Sequence, residues 1–245
     1  MAESPLPPVP GRASHPRAPL LAGLGAYAFW GLVPLYFKLV EAATSSEIIA
    51  HRVIWSVGFL LLVLVLRQGR SLVRHCAIHP KVAAALAVSG ALVAVNWLVF
   101  VYAVNSDRVL STSLGYFINP LVSVVLGTVV LRERMNGLQL IAVLLAAAGT
   151  LWLTLQIGRP PWLALALAVT FGLYGLVRKL TDVGPMVGLF WETLMMMPFA
   201  LAWLAWMTRN DALVFGSRDG GLDLLLVGTG LVTVIPLVLF ATAAR

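Results

Sequence analysis

Glu47, His51 and Arg52 lie within six consecutive positions of an otherwise apolar run, and an acid, an imidazole and a guanidinium so placed could bind a polar solute or carry a proton. Glu47 and His51 are four residues apart and share a face if the run is helical. A second reading stays open, in which Glu47 and Arg52 form a structural ion pair. Glu192 is an acid set well inside another apolar run. It is either a solute or proton site or a hydrogen-bonded lock between neighbouring segments. Asn96, in mid-run, must also find a partner, whether another helix or a solute. Asn119 precedes Pro120, whose missing N–H leaves the Tyr116 carbonyl without its helical donor. That break either lines a cavity or is healed by Ser111 or Ser113. Pro34, Pro198 and Pro236 free the carbonyls of Trp30, Leu194 and Val232 in the same way and are weaker candidates. Trp30, Trp97 and Tyr174 would suit an aromatic cavity for an amphiphilic or cationic solute, or serve as interfacial anchors.

The segments that position these residues are eight apolar stretches, expected as helices over 20–40, 44–66, 81–104, 109–131, 137–156, 161–179, 185–207 and 222–243. Each is long enough to cross a bilayer. Hydrophobic residues make up 60% of the chain and charged residues 11%, with mean hydropathy +0.93, which leaves too little polar surface for a soluble globule of 245 residues. Continuous apolar runs without alternation select helices over a barrel, because each segment must satisfy its own backbone in lipid. The expected class is all-α and polytopic.

Eight crossings put both termini on one side. Arg67, Arg70, Arg74, Lys81, Arg132, Arg134, Arg178 and Lys179, with Arg12, Arg17 and Arg245, lie on that side, against Arg108, Arg159, Arg209 and Arg218 opposite. The positive-inside rule therefore expects both termini in the cytoplasm, and the net charge of +7 reflects this bias and contact with anionic headgroups. Nucleic acid is not an expected partner; membrane lipid is. Residues 1–19, rich in Pro and polar residues, read as a disordered tail, and the first apolar run as an uncleaved helix, a cleaved signal peptide being the rival. Cys76 is the single cysteine, so it forms no intramolecular disulfide. With His75 and His79 it falls short of a recognised zinc spacing. No cofactor or metal is expected.

A shift of 141 residues superposes Gly31, Leu32, Leu35 and Lys38 on Gly172, Leu173, Leu176 and Lys179, and His51 on Glu192. A shift of 139 matches Leu92, Val93, Val95, Leu98 and Val99 to Leu231, Val232, Val234, Leu237 and Val238. A repeat of five helices has an odd number of crossings, so its second copy enters from the opposite face. Inverted repeats are the architecture of alternating-access carriers, with the solute site between the halves. The first repeat covers 20–156 and the second 160–245, where counterparts of the fourth and fifth helices are missing. The expectation is a chain shortened by two helices.

Gly25 to Gly31 (GAYAFWG), Glu47 to Ser56 (EIIAHRVIWS), Asn96-Trp97, Leu114 to Leu121 (LGYFINPL) and Phe171 to Lys179 (FGLYGLVRK) resemble the RarD branch of the EamA transporters, in the drug/metabolite transporter superfamily. The resemblance runs from about Leu20 to the end, and the stretch through Asn119-Pro120 is its most specific part. It implies ten helices in two five-helix repeats in the bacterial inner membrane. RarD-like proteins also carry a chloramphenicol-sensitivity label.

The functional expectation is a small-solute permease or exporter. No G-x-x-x-x-G-K-[ST] appears, so transport is expected to be secondary, with proton coupling through Glu47, His51 or Glu192. An intramembrane hydrolase is the rival from another class, but H-E-x-x-H, G-x-S-x-G and paired Asp are all absent. The missing helices raise a third reading, a split or truncated carrier inactive alone.

Overall fold

The computed structural model describes residues 17–69, 78–157, 160–216 and 220–243. The tail to residue 16, His75, Cys76 and the cations Arg12, Arg70, Arg74, Arg159, Arg218 and Arg245 lie outside them. Among the described residues eight helices follow one another: α1 Arg17–Leu39, α2 Ser45–Gln68, α3 Pro80–Asn105, α4 Val109–Val129, α5 Gly137–Ile157, α6 Trp162–Lys179, α7 Pro185–Arg209 and α8 Gly220–Ala243. All eight are long and apolar enough to cross a membrane, and no strand occurs among the described residues. The protein is all-α and multi-pass.

Local chemistry accounts for the boundaries. Thr44 caps α2 by accepting the Glu47 N–H at 3.3 Å. α3 starts at Pro80 rather than 81 because proline fits the first turn, where its missing N–H costs nothing, and His79 Nδ1 accepts the Lys81 N–H. Asn136 and Gln139 cap α5 reciprocally, each side chain accepting the other's backbone N–H at 2.8 and 2.9 Å. Asp107, at φ 58°, turns the chain out of α3 in the left-handed region that Asp tolerates. Pro34, Pro120, Pro198 and Pro236 sit inside helices that continue through them.

α2 occupies the middle, packed on α7 and α8, while α1 packs on α8, α3 on α6, and α4 on α6. α5 leans on α4 at the edge, with none of its spanning window buried. The α1–α2–α3–α8 core centres on Phe37, Ile48, Val101, Val104 and Leu226, and a second core joins Leu60 and Leu64 of α2 to Leu189, Phe190 and Val234. Lipid tails are as apolar as these side chains, so close packing rather than escape from water holds the helices together. Small residues at crossings allow it. Gly115 lies so near α6 that a Cβ there would meet the Leu167 Cβ at 3.1 Å and the Ala164 carbonyl at 3.2 Å.

α2 and α8 approach closely at Gly230, where an added Cβ would fall 2.6 Å from the Trp55 carbonyl carbon and 2.8 Å from the Ser56 nitrogen. Gly230→Ala is expected to force the two helices apart and cost about 1–3 kcal/mol, the range for overpacking. Gly175→Ala, with nothing within 4 Å of the new methyl group, is the control and should hold or gain slightly. Thermal unfolding of the purified protein in nanodiscs checks both.

Candidate functional site

The first turns of α2 carry Glu47, His51 and Arg52, all buried. Glu47 sits at the third helical position, where a glutamate ordinarily reaches back to the N-cap amide. Its Oε1 instead accepts the backbone N–H groups of Val214 and Phe215 at 3.0 and 2.9 Å, tying the α7–α8 connection to α2. Its Oε2 is buried without a partner among the described residues. One turn on, the His51 ring lies 4.5 Å from the Phe215 ring, and its Nδ1 accepts the Trp55 indole N–H at 3.3 Å. His51 Nε2 is also buried and unpartnered among the described residues.

Arg52 does not pair with Glu47, nor with any other carboxylate among the described residues. The glutamate is already committed to the loop amides, and five residues of separation put the two on different helix faces. Arg52 Nε donates to Thr233 Oγ1 of α8 at 2.7 Å, and Thr233 is anchored in turn on the Thr229 carbonyl. The guanidinium lies 3.9 Å from the centroid of Trp97 and 5.5 Å from that of Phe37. A desolvated cation–π contact is worth about 2 kcal/mol and a hydrogen bond from a charged donor about 1.5–3 kcal/mol. Removing a cation from water costs several kcal/mol, so these contacts leave the charge incompletely answered.

A second cluster lies toward the other end of the bundle. Glu192, about two turns into α7, is fully buried. Its Oε1 accepts the Ser89 hydroxyl of α3 at 2.5 Å and lies 3.7 Å from Arg178 Nε of α6, while Oε2 accepts the Tyr174 hydroxyl at 3.4 Å. One carboxylate therefore joins α3, α6 and α7. Arg178 also donates from Nη2 to the carbonyls of Val183 and Gly184, and its guanidinium lies over Gly188, in space that a Cβ would occupy.

The remaining candidates are dispersed. Asn96 donates from Nδ2 to the Leu167 carbonyl and to Thr170 Oγ1, both at 3.0 Å, and so staples α3 to α6. Tyr116 is exposed on α4 with its ring edge-on to Phe100, and Asn119 Oδ1 is buried without a partner among the described residues. Ser113 donates to the Val109 carbonyl rather than to that of Tyr116. Trp30 is partly exposed on α1 beside Tyr27. Pro236 is buried, Pro34 half-buried, and Pro120 and Pro198 are exposed. Two surface grooves, of about 280 and 440 Å³, lie between α2 and α8, at Phe59 and Val234, and between α2 and α3, at Ser45 and Tyr102. Neither is lined by Glu47, His51, Arg52 or Glu192.

Ser89, Arg178 and Thr233 escaped sequence reasoning. Arg178 reads as a loop cation because it closes α6, although the short α6–α7 connection brings it back onto Glu192. Ser89 and Thr233 are ordinary hydroxyls in apolar runs, and no spacing marks them. Phe37, a core residue by type, becomes a site residue only because Arg52 lies over its ring.

Comparison with known proteins agrees with this architecture. A family model described as the EamA-like transporter family matches residues 17–155. The chain is 40% identical over 228 residues to Protein RarD of Streptomyces exfoliatus, covering 93% of this chain and 72% of that protein. It is 40% identical over 232 residues to Protein RarD of Escherichia coli (strain K12), covering 95% of this chain and 78% of that one. It is 43% identical over 228 residues to the uncharacterized transporter YojE of Bacillus subtilis (strain 168), covering 90% and 74%. No solved structure gives a significant match.

Removing one member of the α3–α6–α7 network should strand the other charge. Arg178→Ala is expected to destabilise the protein by about 3 kcal/mol, the scale for leaving a buried charge unpaired. The double variant Arg178→Ala/Glu192→Gln should recover a large part of that loss. A double-mutant cycle on thermal unfolding in nanodiscs measures the coupling.

Proposed function

The chain belongs to the EamA-like transporter family as a RarD-type member, and from that premise we propose that it is a secondary carrier of small solutes working by alternating access. The observation that carries the reading is the concentration of unsatisfied polar groups on α2. Glu47 Oε2 and His51 Nε2 are buried without partners among the described residues, and Arg52 has no counter-ion there. Polar groups left so in a spanning helix are held for a solute or a proton.

The helix pairing supports two inverted repeats. Exchanging α1 with α6, α2 with α7 and α3 with α8 carries the α1–α8 contact onto α6–α3 and leaves α2–α7 on itself. Such a pseudo-two-fold axis through the α2–α7 contact places the solute site at the repeat interface. In this scheme the Glu47–His51–Arg52 group belongs to the extracellular half and the Glu192 network to the cytoplasmic half. That assignment follows the Lys and Arg bias, with both termini in the cytoplasm of a bacterial inner membrane.

The Glu192 network supplies a gate. Ser89 and Tyr174 donate to one carboxylate and Arg178 pairs with it at 3.7 Å, so a proton arriving on Glu192 would remove the charge that holds α3, α6 and α7 together. Proton entry at Glu192 would thus loosen the cytoplasmic half, while solute engages the α2 cluster. The two steps couple if each state of the bundle favours one occupant.

Proteoliposomes loaded with a bacterial cytosolic small-molecule extract test the reading without prior choice of solute. Mass spectrometry of the outer buffer is expected to show protein-dependent release of a narrow set of solutes, faster under an imposed pH gradient. Glu192→Gln should abolish the gradient dependence, and His51→Ala should cut release at least about tenfold, the loss of one hydrogen-bond-scale contact. Release matching that of empty liposomes would sink the proposal.

A further inference from the structure

We propose that Arg52 is the anchor for a carboxylate, and that the transported solute is a small organic anion with a flat apolar body. The inference rests on the carrier reading above and names the substrate class of its site. Nε of Arg52 is occupied by Thr233 Oγ1 at 2.7 Å, whereas Nη1 and Nη2 have no hydrogen-bond partner among the described residues. The free edge of the guanidinium therefore presents two donors side by side, the fork that matches the two oxygens of a carboxylate.

Aromatic rings border the cation. Trp97 lies 3.9 Å and Phe37 5.5 Å from the guanidinium carbon, measured to the ring centroids, so a ligand that reaches Nη1 and Nη2 arrives beside aromatic surface. Phe100 stands edge-on to Phe37, and Tyr116 of α4 edge-on to Phe100. A flat apolar body behind the carboxylate would thus meet aromatic surface. The one acid nearby in sequence, Glu47, cannot substitute for the ligand, because its Oε1 is held by the amides of Val214 and Phe215. A cationic solute is disfavoured at the same place by the unneutralised charge of Arg52.

Three probes of similar size and different charge separate the possibilities: benzoate, benzamide and benzylamine, titrated at pH 7.5 into the full chain in nanodiscs, with sodium chloride at equal concentration as the inorganic-anion control. Ligand-dependent thermal stabilisation is the readout. Benzoate alone should raise the melting temperature saturably, and Arg52→Gln should weaken its binding by more than about tenfold, with Arg52→Lys intermediate. Thr233→Val, which keeps the fork and removes only the Nε acceptor, should still discriminate benzoate from benzamide. Equal stabilisation by benzamide, benzylamine or chloride overturns the proposal, as does benzoate binding that survives Arg52→Gln, or no stabilisation by benzoate at millimolar concentration. The wild-type series decides the matter even if Arg52→Gln fails to fold. Benzoate binding without solute release would defeat the carrier reading alone, and release of only neutral or cationic solutes would defeat the anion assignment alone.

Discussion

In hydrocarbon a buried polar group finds no water, so each one on these helices must be met by another helix or face a space that a solute can enter. The interior of the bundle divides along that line. At Asn96 and Glu192 the demand is met by protein: an amide staples α3 to α6, and a carboxylate gathers Ser89, Tyr174 and Arg178 from two other helices. At Glu47, His51 and Arg52 it is met only in part. The half-satisfied cluster sits on α2, the helix that packs against both α7 and α8.

That division suits a carrier. The Glu192 carboxylate has both oxygens met and can serve as a latch that holds one arrangement until a charge changes, although Arg178 Nη1 beside it is buried without a partner among the described residues. The α2 cluster is, in the proposed scheme, the binding site, with Glu47 Oε2 and His51 Nε2 still to be met. In the proposed scheme, placing the two on helices related by the same internal exchange, α2 and α7, lets one bundle present a latch on one side of the membrane and a site toward the other. Gly230 contributes by bringing α8 against α2 closely enough for Thr233 to accept from Arg52 Nε. The anion assignment follows from the remaining two guanidinium nitrogens, which have no partner among the described residues, beside the rings of Trp97 and Phe37.

Much of this was legible in the sequence because lipid imposes a coarse code. Eight apolar runs gave eight helices, with ends displaced by a few residues where local capping decided, as at Pro80. The polar residues inside those runs were visible for the same reason: their cost makes each one conspicuous. Their partners were not. Glu47 and Arg52 look like an ion pair by proximity, yet the amides of Val214 and Phe215, far along the chain, compete for the carboxylate and win. Arg178 looks like a loop cation until the short α6–α7 turn folds it onto Glu192. Long-range pairing of this kind depends on which helix faces which, and a run that is apolar all round carries little record of its orientation.

The claim on which the rest turns is that the space beside Arg52 opens to both sides of the membrane in turn. Cys76 is the single cysteine, so Cys76→Ser gives a background in which Thr233→Cys is the one reactive thiol. Labelling by a membrane-impermeant thiol reagent, applied to right-side-out and to inverted vesicles, reports on that position from each face. The account expects labelling from both faces, with access from each side slowed when the other state is favoured by an imposed pH gradient. A thiol reached from one face only, or from neither, would contradict alternating access and leave Arg52 a structural cation.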